Sequence, residues 1–347
     1  MKPTRATLKD VAELAGLSKT AVSLILNDRP GSRLSAEAVE KVRAAAAELD
    51  YRPNPAARSL RVGKTRTIGL ISDEVTVTRF ASAMIRGVLD VAKTREHTVL
   101  ISETGSDHDQ ERVAVEARID RRAVGVIFGL MGAKQIDVPA VPAGVPVVLL
   151  NASSRTGEST VLPDEYQAGF DIVTVLLDHG HRDGIALIGD YPLAATDLRV
   201  SATVGQRFAG IEAALAGAGV TPGNRVAVNP WEPANGYDAT VAVLDGDAGS
   251  PRRITALICL NDRLALGAYQ ALQERGIRIP ADVSIVSFDD DEIAAYLRPG
   301  LTTARIPYEE MGRQAVQILL SGETEPQHRL VPMPVVARGS VARVEAG

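Results

Sequence analysis

Residues 7 to 27 contain two short helical patterns separated by a single glycine. Thr7 can cap the first helix, because Asp10 lies three residues later and can return a hydrogen bond to the cap. Gly16 tolerates the left-handed backbone that a tight turn between helices requires, and Ser18 then supplies a second N-cap oxygen. Four apolar residues would face each other across this turn, namely Val11, Ala12, Val22 and Ile25. The spacing therefore predicts a helix-turn-helix whose second helix can lie in a major groove.

A third helix is predicted after this pair. Ser35 can act as its N-cap, and apolar residues follow at helical spacing at Val39, Val42, Ala46 and Leu49. Three such helices are enough to close a small head. From the two-helix motif alone, an ordinary helical hairpin with a polar outer face is the alternative to a DNA-binding unit.

Residues 51–61 predict a further, very short helix. Asn54 can cap it and Pro55 suits its first position, but residues 56–61 provide less than two turns. So short a helix is marginal in water by itself. It therefore needs a partner in order to form.

Residues 7–66 resemble the head and hinge of the lactose repressor (LacI/GalR) family of bacterial transcription regulators. Four motifs carry the resemblance in the family's order and spacing: Leu8-Lys9-Asp10-Val11-Ala12-Glu13-Leu14-Ala15-Gly16-Leu17-Ser18, Val22-Ser23, Asp50-Tyr51-Arg52-Pro53-Asn54 and Ala57-Arg58-Ser59-Leu60. The resemblance implies an all-α helix-turn-helix head at 1–52, a hinge helix and linker at 53–66, and a two-lobed effector-binding and dimerisation domain at 67–347.

The resemblance also implies which residues contact double-stranded operator DNA. Lys19, Thr20 and Ser23 would point away from the head core, and Leu60 would wedge between base pairs in the minor groove, where the hinge helices of two subunits pair. Leu24 departs from the family, which commonly has an arginine there that can hydrogen-bond guanine; leucine can make only apolar contact. The full set of expected DNA contacts is Thr7, Leu8, Ser18, Lys19, Thr20, Ser23, Leu24, Asn27, Tyr51, Asn54, Ala57, Arg58 and Leu60.

The charge of the chain is divided unevenly. The formal net charge is −5 at pH 7, which taken globally argues against a nucleic-acid partner. Residues 1–66, however, hold 13 lysines and arginines against 7 acidic residues, and the rest of the chain holds 25 against 36. A basic head on an acidic body is typical of a protein that binds DNA through the head alone.

Length and composition limit the classes of protein to which this chain can belong. With 347 residues, of which 45% are hydrophobic, the chain can form more than one core. Cys259 is the single cysteine, which excludes an intramolecular disulfide, and its apolar neighbours predict a buried thiol. No apolar signal segment follows Met1, and no apolar run is long enough to span a membrane. These features predict a cytoplasmic protein.

From residue 67 onward, strand-like apolar runs alternate with amphipathic helical stretches, which is typical of a parallel sheet covered on both faces. The predicted strands are 67–72, 97–102, 124–128, 145–150, 184–188, 225–228, 254–260, 283–287, 302–306 and 330–336. The predicted helices are 80–95, 109–121, 166–177, 204–218, 235–244, 262–274 and 308–320. They fall into two similar series and so predict an α/β body of two lobes.

The resemblance extends to this body, which is similar to periplasmic sugar-binding proteins. It implies that the chain crosses between the lobes near residues 163, 290 and 322. The N-lobe would then contain about 67–163 and 291–322, and the C-lobe about 164–290 and 323–347. Ligands of such open sheets lie at the carboxyl ends of the strands, in the cleft between the lobes.

Polar residues just beyond strand ends are the candidates for the effector site. Asn261 and Asp289 follow two strands of the second series, and the resemblance adds Arg207, from its Arg-x-x-Gly pattern, and Phe80. An arginine that faces an aspartate offers donors and acceptors in the arrangement that vicinal hydroxyls require. Trp231, the only tryptophan, could lie against a ring or serve as a core anchor at a lobe edge. The sequence therefore favours a sugar as the effector, with a purine as the alternative.

Three neighbouring features have simpler interpretations. Asp262 is expected to cap the following helix rather than to touch the ligand. The run 289–292 contains four consecutive acids but does not predict a metal site, because consecutive side chains diverge and no matching cluster is evident. His179 and His181 are expected to be solvated or to cap locally.

No catalytic motif supports an enzyme, since the chain contains no G-x-G-x-x-G, G-x-x-x-x-G-K-[ST] or G-x-S-x-G pattern. A free solute-binding protein would share the body, but it would require export and no basic head. We therefore predict a homodimeric, effector-controlled DNA-binding regulator with no catalytic residues, no metal, no cofactor and no membrane partner. The residues after the last strand are too few for a heptad tail that would build a tetramer.

Overall fold

The computed structural model describes residues 6–26, 34–51, 65–76, 80–105, 107–247 and 254–344, except for the side chains of residues 120 and 247. The chain forms two compact units, residues 1–65 and residues 66–347. The predicted hinge helix at 56–61 lies outside the described residues.

The head contains three helices in its described part, α1 (Leu8–Ala15), α2 (Lys19–Leu26) and α3 (Ala36–Glu48). Thr7 and Asp10 form the predicted capping box: the Thr7 amide donates to Asp10 Oδ2 at 2.7 Å, and the Asp10 amide donates to Thr7 Oγ1 at 3.4 Å. Gly16 ends α1 with a φ of 67°, and Ser18 Oγ accepts a hydrogen bond from the Ala21 amide at 3.2 Å. The buried core of the head is Val11, Ala12, Val22, Ile25, Val42, Ala45 and Ala46. The predicted helix-turn-helix and its third helix are confirmed.

The body contains two six-stranded sheets, and its described strands are β1 (Thr67–Ser72), β2 (Thr98–Glu103), β3 (Gly125–Gln135), β4 (Val147–Ser153), β5 (Ser159–Pro163), β6 (Ile185–Asp190), β7 (Asn224–Ala227), β8 (Ala256–Cys259), β9 (Ser284–Asp289), β10 (Thr302–Arg305), β11 (His328–Val331) and β12 (Val335–Val336). The strand order is β11-β5-β4-β3-β1-β2 in the first sheet and β12-β10-β9-β8-β6-β7 in the second. All paired strands are parallel except β10 and β12. This arrangement confirms the predicted pair of α/β lobes.

Helices cover the sheets, and in the described body they are α4 (Phe80–Thr94), α5 (His108–Asp120), α6 (Glu165–Asp178), α7 (Pro192–Thr196), α8 (Val204–Gly217), α9 (Pro233–Asp247), α10 (Asp262–Glu274), α11 (Glu292–Tyr296) and α12 (Tyr308–Leu319). Side chains alternate between the two faces of β1. Leu70 packs with Met84 of α4 and Met311 of α12, whereas Ile71 packs with Val115 of α5. The first sheet is therefore buried on both faces, as a parallel sheet requires.

The second lobe has a single large core. Cys259 lies fully buried in it beside the strands β6 and β9. Burial in apolar surroundings raises the pKa of this thiol, so it stays protonated. The prediction of a buried core thiol is confirmed.

The sheets place two of the three lobe crossings away from the positions that the resemblance implied. The first crossing follows Pro163 as expected, because β5 lies in the first sheet and α6 packs in the second lobe. The second falls near Ile306 rather than near residue 290, because β10 pairs with β9 and only α12 returns to the first sheet. The segment 291–306 therefore belongs to the C-lobe.

The third crossing falls between Val331 and Val335 rather than near residue 322. β11 pairs with β5 in the first sheet, and β12 pairs with β10 in the second. The single strand predicted at 330–336 is thus two strands in different lobes. Apolar periodicity marks a strand but carries no information about which sheet it joins.

Three helix pairs in the body approach each other through glycine. The pairs are α4 with α12 through Gly87 and Gly312, α6 with α8 through Gly169 and Gly210, and α9 with α10 through Gly236 and Gly267. A Cβ on Gly210 would lie 2.0 Å from the Tyr166 carbonyl oxygen, and a Cβ on Gly169 would lie 2.3 Å from that of Arg207. Both distances are far below van der Waals contact. Only glycine allows these backbones to come so close.

We expect Gly210→Ala to destabilise the body. The added methyl group meets backbone that cannot rotate away, so overpacking should lower the free energy of unfolding by about 2 kcal/mol. Gly217→Ala is the matched control, because it lies on the same helix with no heavy atom within 4 Å of an added Cβ. Urea unfolding followed by circular dichroism measures both. Equal stability of Gly210→Ala and the wild type would contradict the close packing of α6 and α8.

Candidate functional site

Arg207 is the centre of a buried charged cluster in the second lobe. It lies in the first turns of α8, and its side chain is 3% exposed. Its Nε donates to Glu165 Oε2 at 2.7 Å, and its Nη2 donates to Glu165 Oε1 at 2.8 Å. Burial lowers the pKa of Arg207, but the carboxylates of Glu165 and Asp289 raise it more strongly, so the guanidinium stays charged.

Asp289 is the member of the cluster that solvent reaches. It ends β9 with a φ of 104°, and its Oδ1 lies 3.7 Å from Arg207 Nη2. The side chain is 19% exposed. Burial raises the pKa of Asp289 to about 6, with Arg207 acting in the opposite direction and Glu165 and Asp291 adding to the increase. The carboxylate is therefore ionised at neutral pH.

The structure places Asn261 and Trp231 beside this cluster. Asn261 is the N-cap of α10: its Oδ1 accepts from the Leu264 amide at 2.8 Å, and its Nδ2 donates to the Trp231 carbonyl at 3.3 Å. The Trp231 ring is partly buried against the core of the second lobe, 5.9 Å from the Arg207 guanidinium carbon. The indole N–H of Trp231 is buried with no acceptor in the described structure.

The prediction that Asp262 caps α10 is wrong, because Asn261 occupies the cap. Asp262 is fully buried one residue later, where its carboxylate accepts hydrogen bonds from Thr303 Oγ1 at 2.8 Å and from the Asp291 amide at 2.7 Å. Burial raises the pKa of Asp262, and the charge of Asp289 raises it further. Asp262 thus links β10, through Thr303, to the start of α11, through Asp291. As expected, it does not line the cleft.

The first lobe contributes a pair of aromatic side chains, Phe80 and Tyr308. The sequence analysis predicted Phe80 at the site but not Tyr308. Phe80 begins α4, and its ring centroid lies 5.4 Å from that of Tyr308, the first residue of α12. The Ile306 amide donates to the Asp289 carbonyl at 3.3 Å, and the Tyr308 amide donates to the Ile306 carbonyl at 2.9 Å, so Tyr308 lies close to the charged cluster. Burial raises the pKa of the Tyr308 phenol, and the charges of Asp289 and Glu165 raise it further. Phe80 and the cluster therefore lie at the same cleft, although they belong to different lobes.

A second buried acid lies at the strand ends of the first lobe, also missed by sequence reasoning. Asp73 follows β1, and its Oδ1 accepts from the Met131 amide at 3.1 Å, while Lys134 Nζ lies 3.3 Å from its Oδ2. Asn151 at the end of β4 donates to the carbonyls of Leu130 and Met131 at 2.9 and 3.2 Å. These contacts brace the last residues of β3 where they leave the sheet.

The end of β3 reaches the second lobe through backbone hydrogen bonds. The Gln135 amide donates to the Leu198 carbonyl at 2.7 Å, and the Ala202 amide donates to the Ala133 carbonyl at 2.8 Å. The Tyr308 hydroxyl also donates to the Met131 carbonyl at 3.5 Å. The two backbone hydrogen bonds bridge the cleft at one side, and the Tyr308 contact holds Met131 within the first lobe.

The acid run 289–292 and the two histidines have protein partners in the described structure. In the run 289–292, Asp289 faces Arg207, Asp290 pairs with Arg305 and Arg338, and Asp291 caps α11. His179 Nδ1 lies 2.7 Å from the Val175 carbonyl oxygen, a local contact as expected. The expectation for His181 is wrong, because its ring is buried and its Nε2 lies 3.1 Å from Ser284 Oγ and 3.2 Å from the Ala342 carbonyl oxygen, both distant in the chain. Within the described ranges, no group of three potential metal ligands comes together.

In the head, the surface of α2 carries most of the predicted DNA contacts that the structure describes. Ser18, Lys19 and Thr20 are exposed, and Leu24 is half-buried. Ser23 is an exception to the expected outward direction, because it is only 7% exposed. It lies at the margin of the face that α2 buries, where its small side chain fits.

The remaining DNA-contact predictions divide into two groups. Thr7 is exposed, and Leu8 and Tyr51 are half-buried against the head core. The other five lie outside the described residues, namely Asn27, Asn54, Ala57, Arg58 and Leu60.

Comparison with known proteins agrees with this architecture. A family model for bacterial regulatory proteins of the lacI family matches residues 7–54, and one for a periplasmic binding protein-like domain matches residues 173–341. The HTH-type transcriptional repressor PurR of Vibrio campbellii is 31% identical over 98% of this chain and 99% of its own length. The ribose operon repressor of Escherichia coli K12 is 32% identical over 96% of this chain and 99% of its own length. The lac repressor dimer bound to operator and the anti-inducer ONPF superposes with a TM-score of 0.79 and 28% identity, covering 98% of this chain and 100% of that structure.

The chain therefore belongs to the lacI family of bacterial regulatory proteins. It is a DNA-binding transcription regulator, as predicted, and the relatives named above are transcriptional repressors. These relatives do not decide between a sugar and a purine as the effector. In the part of the chain that the structure describes, no helix is long and apolar enough to cross a membrane.

Proposed function

We propose that this regulator is a cytoplasmic repressor whose operator affinity is controlled by a small sugar or sugar derivative bound between the lobes. The observation that carries the proposal is the partly exposed Asp289 carboxylate beside Arg207. Within the described ranges, no amide or hydroxyl donates a hydrogen bond to this carboxylate. Its oxygens are therefore available to accept hydrogen bonds from adjacent hydroxyl groups, which is the pairing that a polyhydroxylated ligand offers.

The opposite wall of the cleft supports the same class of ligand. Phe80 and Tyr308 present an aromatic surface that suits the C–H face of a sugar ring. We assign effector contacts to Phe80, Arg207, Trp231, Asn261 and Asp289, and we add Tyr308. Two known proteins are consistent with a sugar effector. The first is the ribose operon repressor. The second is a lacI-family regulator of Enterococcus faecium solved with bound ribose, which has a TM-score of 0.61 at 25% identity and covers 80% of this chain and 100% of that structure.

A purine is the second candidate. The close pair of Phe80 and Tyr308 favours it, because a flat base can lie against an aromatic ring. With aromatic residues at 4% of the chain, a pocket that stacks a base on both sides is less well supported than one that binds hydroxyls.

For the DNA-binding function we propose a dimer on a near-palindromic operator, with one α2 in the major groove of each half-site. The assigned contacts are those predicted from the sequence, with Lys19 and Thr20 of α2 reading base edges. The hinge at 56–61 is proposed as the switch, because a helix that is marginal alone forms only when the two subunits hold it in place.

A thermal-shift panel tests the effector class. We expect the melting temperature of the purified protein to rise with one or more neutral pentoses, hexoses or disaccharides, since a ligand that binds only the folded state stabilises it. The same sugar should then change binding to a duplex selected by the protein from random-sequence DNA. If guanine or hypoxanthine raises the melting temperature and no sugar does, the sugar assignment is wrong and the repressor assignment stands.

A further inference from the structure

The contacts of the Arg207 guanidinium bear on the charge of the effector. Arginine binds a carboxylate or phosphate best through two N–H groups at once. Its guanidinium offers two such pairs of donors, Nε with Nη2 and Nη1 with Nη2, and one further N–H on Nη1. Glu165 accepts from the first pair, Nε and Nη2, at 2.7 and 2.8 Å. Nη1 donates to the Leu260 carbonyl, and Nη2 faces the Asp289 carboxylate at 3.7 Å. Glu165 therefore occupies one bidentate edge, and the other faces the Leu260 carbonyl and the Asp289 carboxylate, two groups that an anion would have to displace or approach.

The guanidinium is also packed against aromatic rings, and the Arg207 side chain is only 3% exposed. Its central carbon lies 4.4 Å from the ring centroid of Phe288 and 5.9 Å from that of Trp231. On the first-lobe side, the partly buried Lys134 is paired with Asp73 at 3.3 Å. The cluster of Arg207, Glu165 and Asp289 holds one positive and two negative charges when ionised, so it presents excess negative charge to a ligand.

Local structure explains why Glu165 meets Arg207. Glu165 is the first residue of α6, where a negative charge is favoured by the helix dipole. Gly169, one turn later, contacts the backbone of Arg207, and Gly210 contacts that of Tyr166. The close approach of α6 and α8 thus sets the first turns of both helices side by side. An acid at position 165 then reaches the guanidinium with both oxygens.

We propose that Glu165 is a specificity-determining residue, which restricts the effector to uncharged molecules by keeping Arg207 out of reach of an anionic group. This inference rests on the proposed effector site and narrows it, since sugar phosphates and sugar acids are excluded. Asp289 is then the group that contacts the ligand hydroxyls directly, and Arg207 positions Asp289. Within the described cluster, a carboxylate or phosphate on the ligand would face Asp289 and Glu165, whose two negative charges exceed the single positive charge of Arg207.

Titration calorimetry with matched ligand pairs tests the inference. The pairs are ribose with ribose 5-phosphate, glucose with glucose 6-phosphate, and hypoxanthine with inosine 5′-phosphate. The wild type should bind the uncharged member of a pair more tightly. Glu165→Gln removes one negative charge and one of the two acceptor oxygens, so at least one guanidinium donor is freed, and the ratio of the two dissociation constants should shift toward the anion by at least about tenfold.

Two further variants separate charge from folding. Glu165→Asp keeps the negative charge and should keep the preference for the uncharged member. Glu165→Gln combined with Arg207→Gln removes both members of the buried ion pair, leaves Asp289 as the only charge of the cluster and should again reject the anion. If the double variant accepts the anion as readily as Glu165→Gln does, the guanidinium is not the anion-binding group and the inference is wrong.

The outcomes for the wild type distinguish the two proposals. A wild type that prefers ribose 5-phosphate or glucose 6-phosphate overturns the role of Glu165 but leaves a sugar effector standing. Binding of the purine pair alone, with hypoxanthine preferred, overturns the sugar effector and supports the exclusion of anions. Binding of none of the six ligands counts against both.

Discussion

Replacing Asp289 with alanine is expected to abolish the response of operator binding to the effector. In the proposed site, the carboxylate accepts two hydrogen bonds from adjacent hydroxyls, and hydrogen bonds to a charged group contribute about 1.5 to 3 kcal/mol each. Their loss should weaken effector binding at least a hundredfold, at about 1.4 kcal/mol for each factor of ten. Operator affinity without effector should not change, because Asp289 lies in the body and not in the DNA-binding head. Titration calorimetry and a DNA-binding assay measure the two quantities separately.

The fold should survive this substitution, since Arg207 keeps both hydrogen bonds to Glu165. Glu212→Gln is a suitable control, because Glu212 is an acid on the surface of the same lobe that pairs with Arg225. A pH profile adds a second check. The pKa of Asp289 is raised to about 6, so wild-type effector affinity should fall as the pH is lowered through that value, and Asp289→Asn should show no such fall. A normal effector response from Asp289→Ala would refute the assigned pocket.

The head could be predicted closely because its signals are local. Thr7 and Asp10 lie within one turn of each other, and Gly16 marks the turn by its own conformational freedom. Ser23 could not be placed in the same way. It lies at the margin of a buried helix face, and its burial depends on the packing of neighbouring helices rather than on its neighbours in sequence.

In the body, the strands and helices were predictable, but their assembly was not. The short strand β5, which lies between β11 and β4, and the short helices α7 and α11 lack a long periodic pattern, so apolar periodicity does not indicate them. β11 joins the first sheet by pairing with β5, which is distant in the chain, and β10 stays in the second sheet by pairing with β9. Pairing partners of this kind leave no mark on apolar periodicity.

The candidate site shows the same division. Arg207 and Asp289 were identified from a motif and from a strand end, and the structure brings them together. Glu165 was missed because an acid in the first turn of a helix is common for electrostatic reasons alone. Its second role is visible only once Gly169 and Gly210 set α6 against α8. Tyr308 was missed because a helix-starting tyrosine does not reveal that Phe80 and the acid cluster lie beside it.

Replacing Leu60 with alanine is expected to weaken operator binding strongly while leaving the body unchanged. Leu60 lies outside the described residues and is the proposed wedge of the hinge, a role in which an apolar side chain inserted between base pairs offsets the cost of unstacking them. Truncating a leucine that is buried in the complex removes about 2 kcal/mol of apolar burial, so operator affinity should fall by a factor of about 30. A fluorescence anisotropy titration with the selected operator measures this loss.

Two measurements separate a wedge from other causes of weak binding. Leucine carries no charge, so the slope of log affinity against log salt should stay at the wild-type value, whereas Lys19→Ala should reduce it if Lys19 contacts phosphate. The effector should raise the melting temperature of Leu60→Ala as much as that of the wild type, since the hinge takes no part in the cleft. Leu193→Ala, at a half-exposed leucine of the body, controls for the general effect of removing a leucine. Wild-type operator affinity in Leu60→Ala would mean that the hinge does not insert into the duplex, and the switch would then have to act through the separation of the two heads alone.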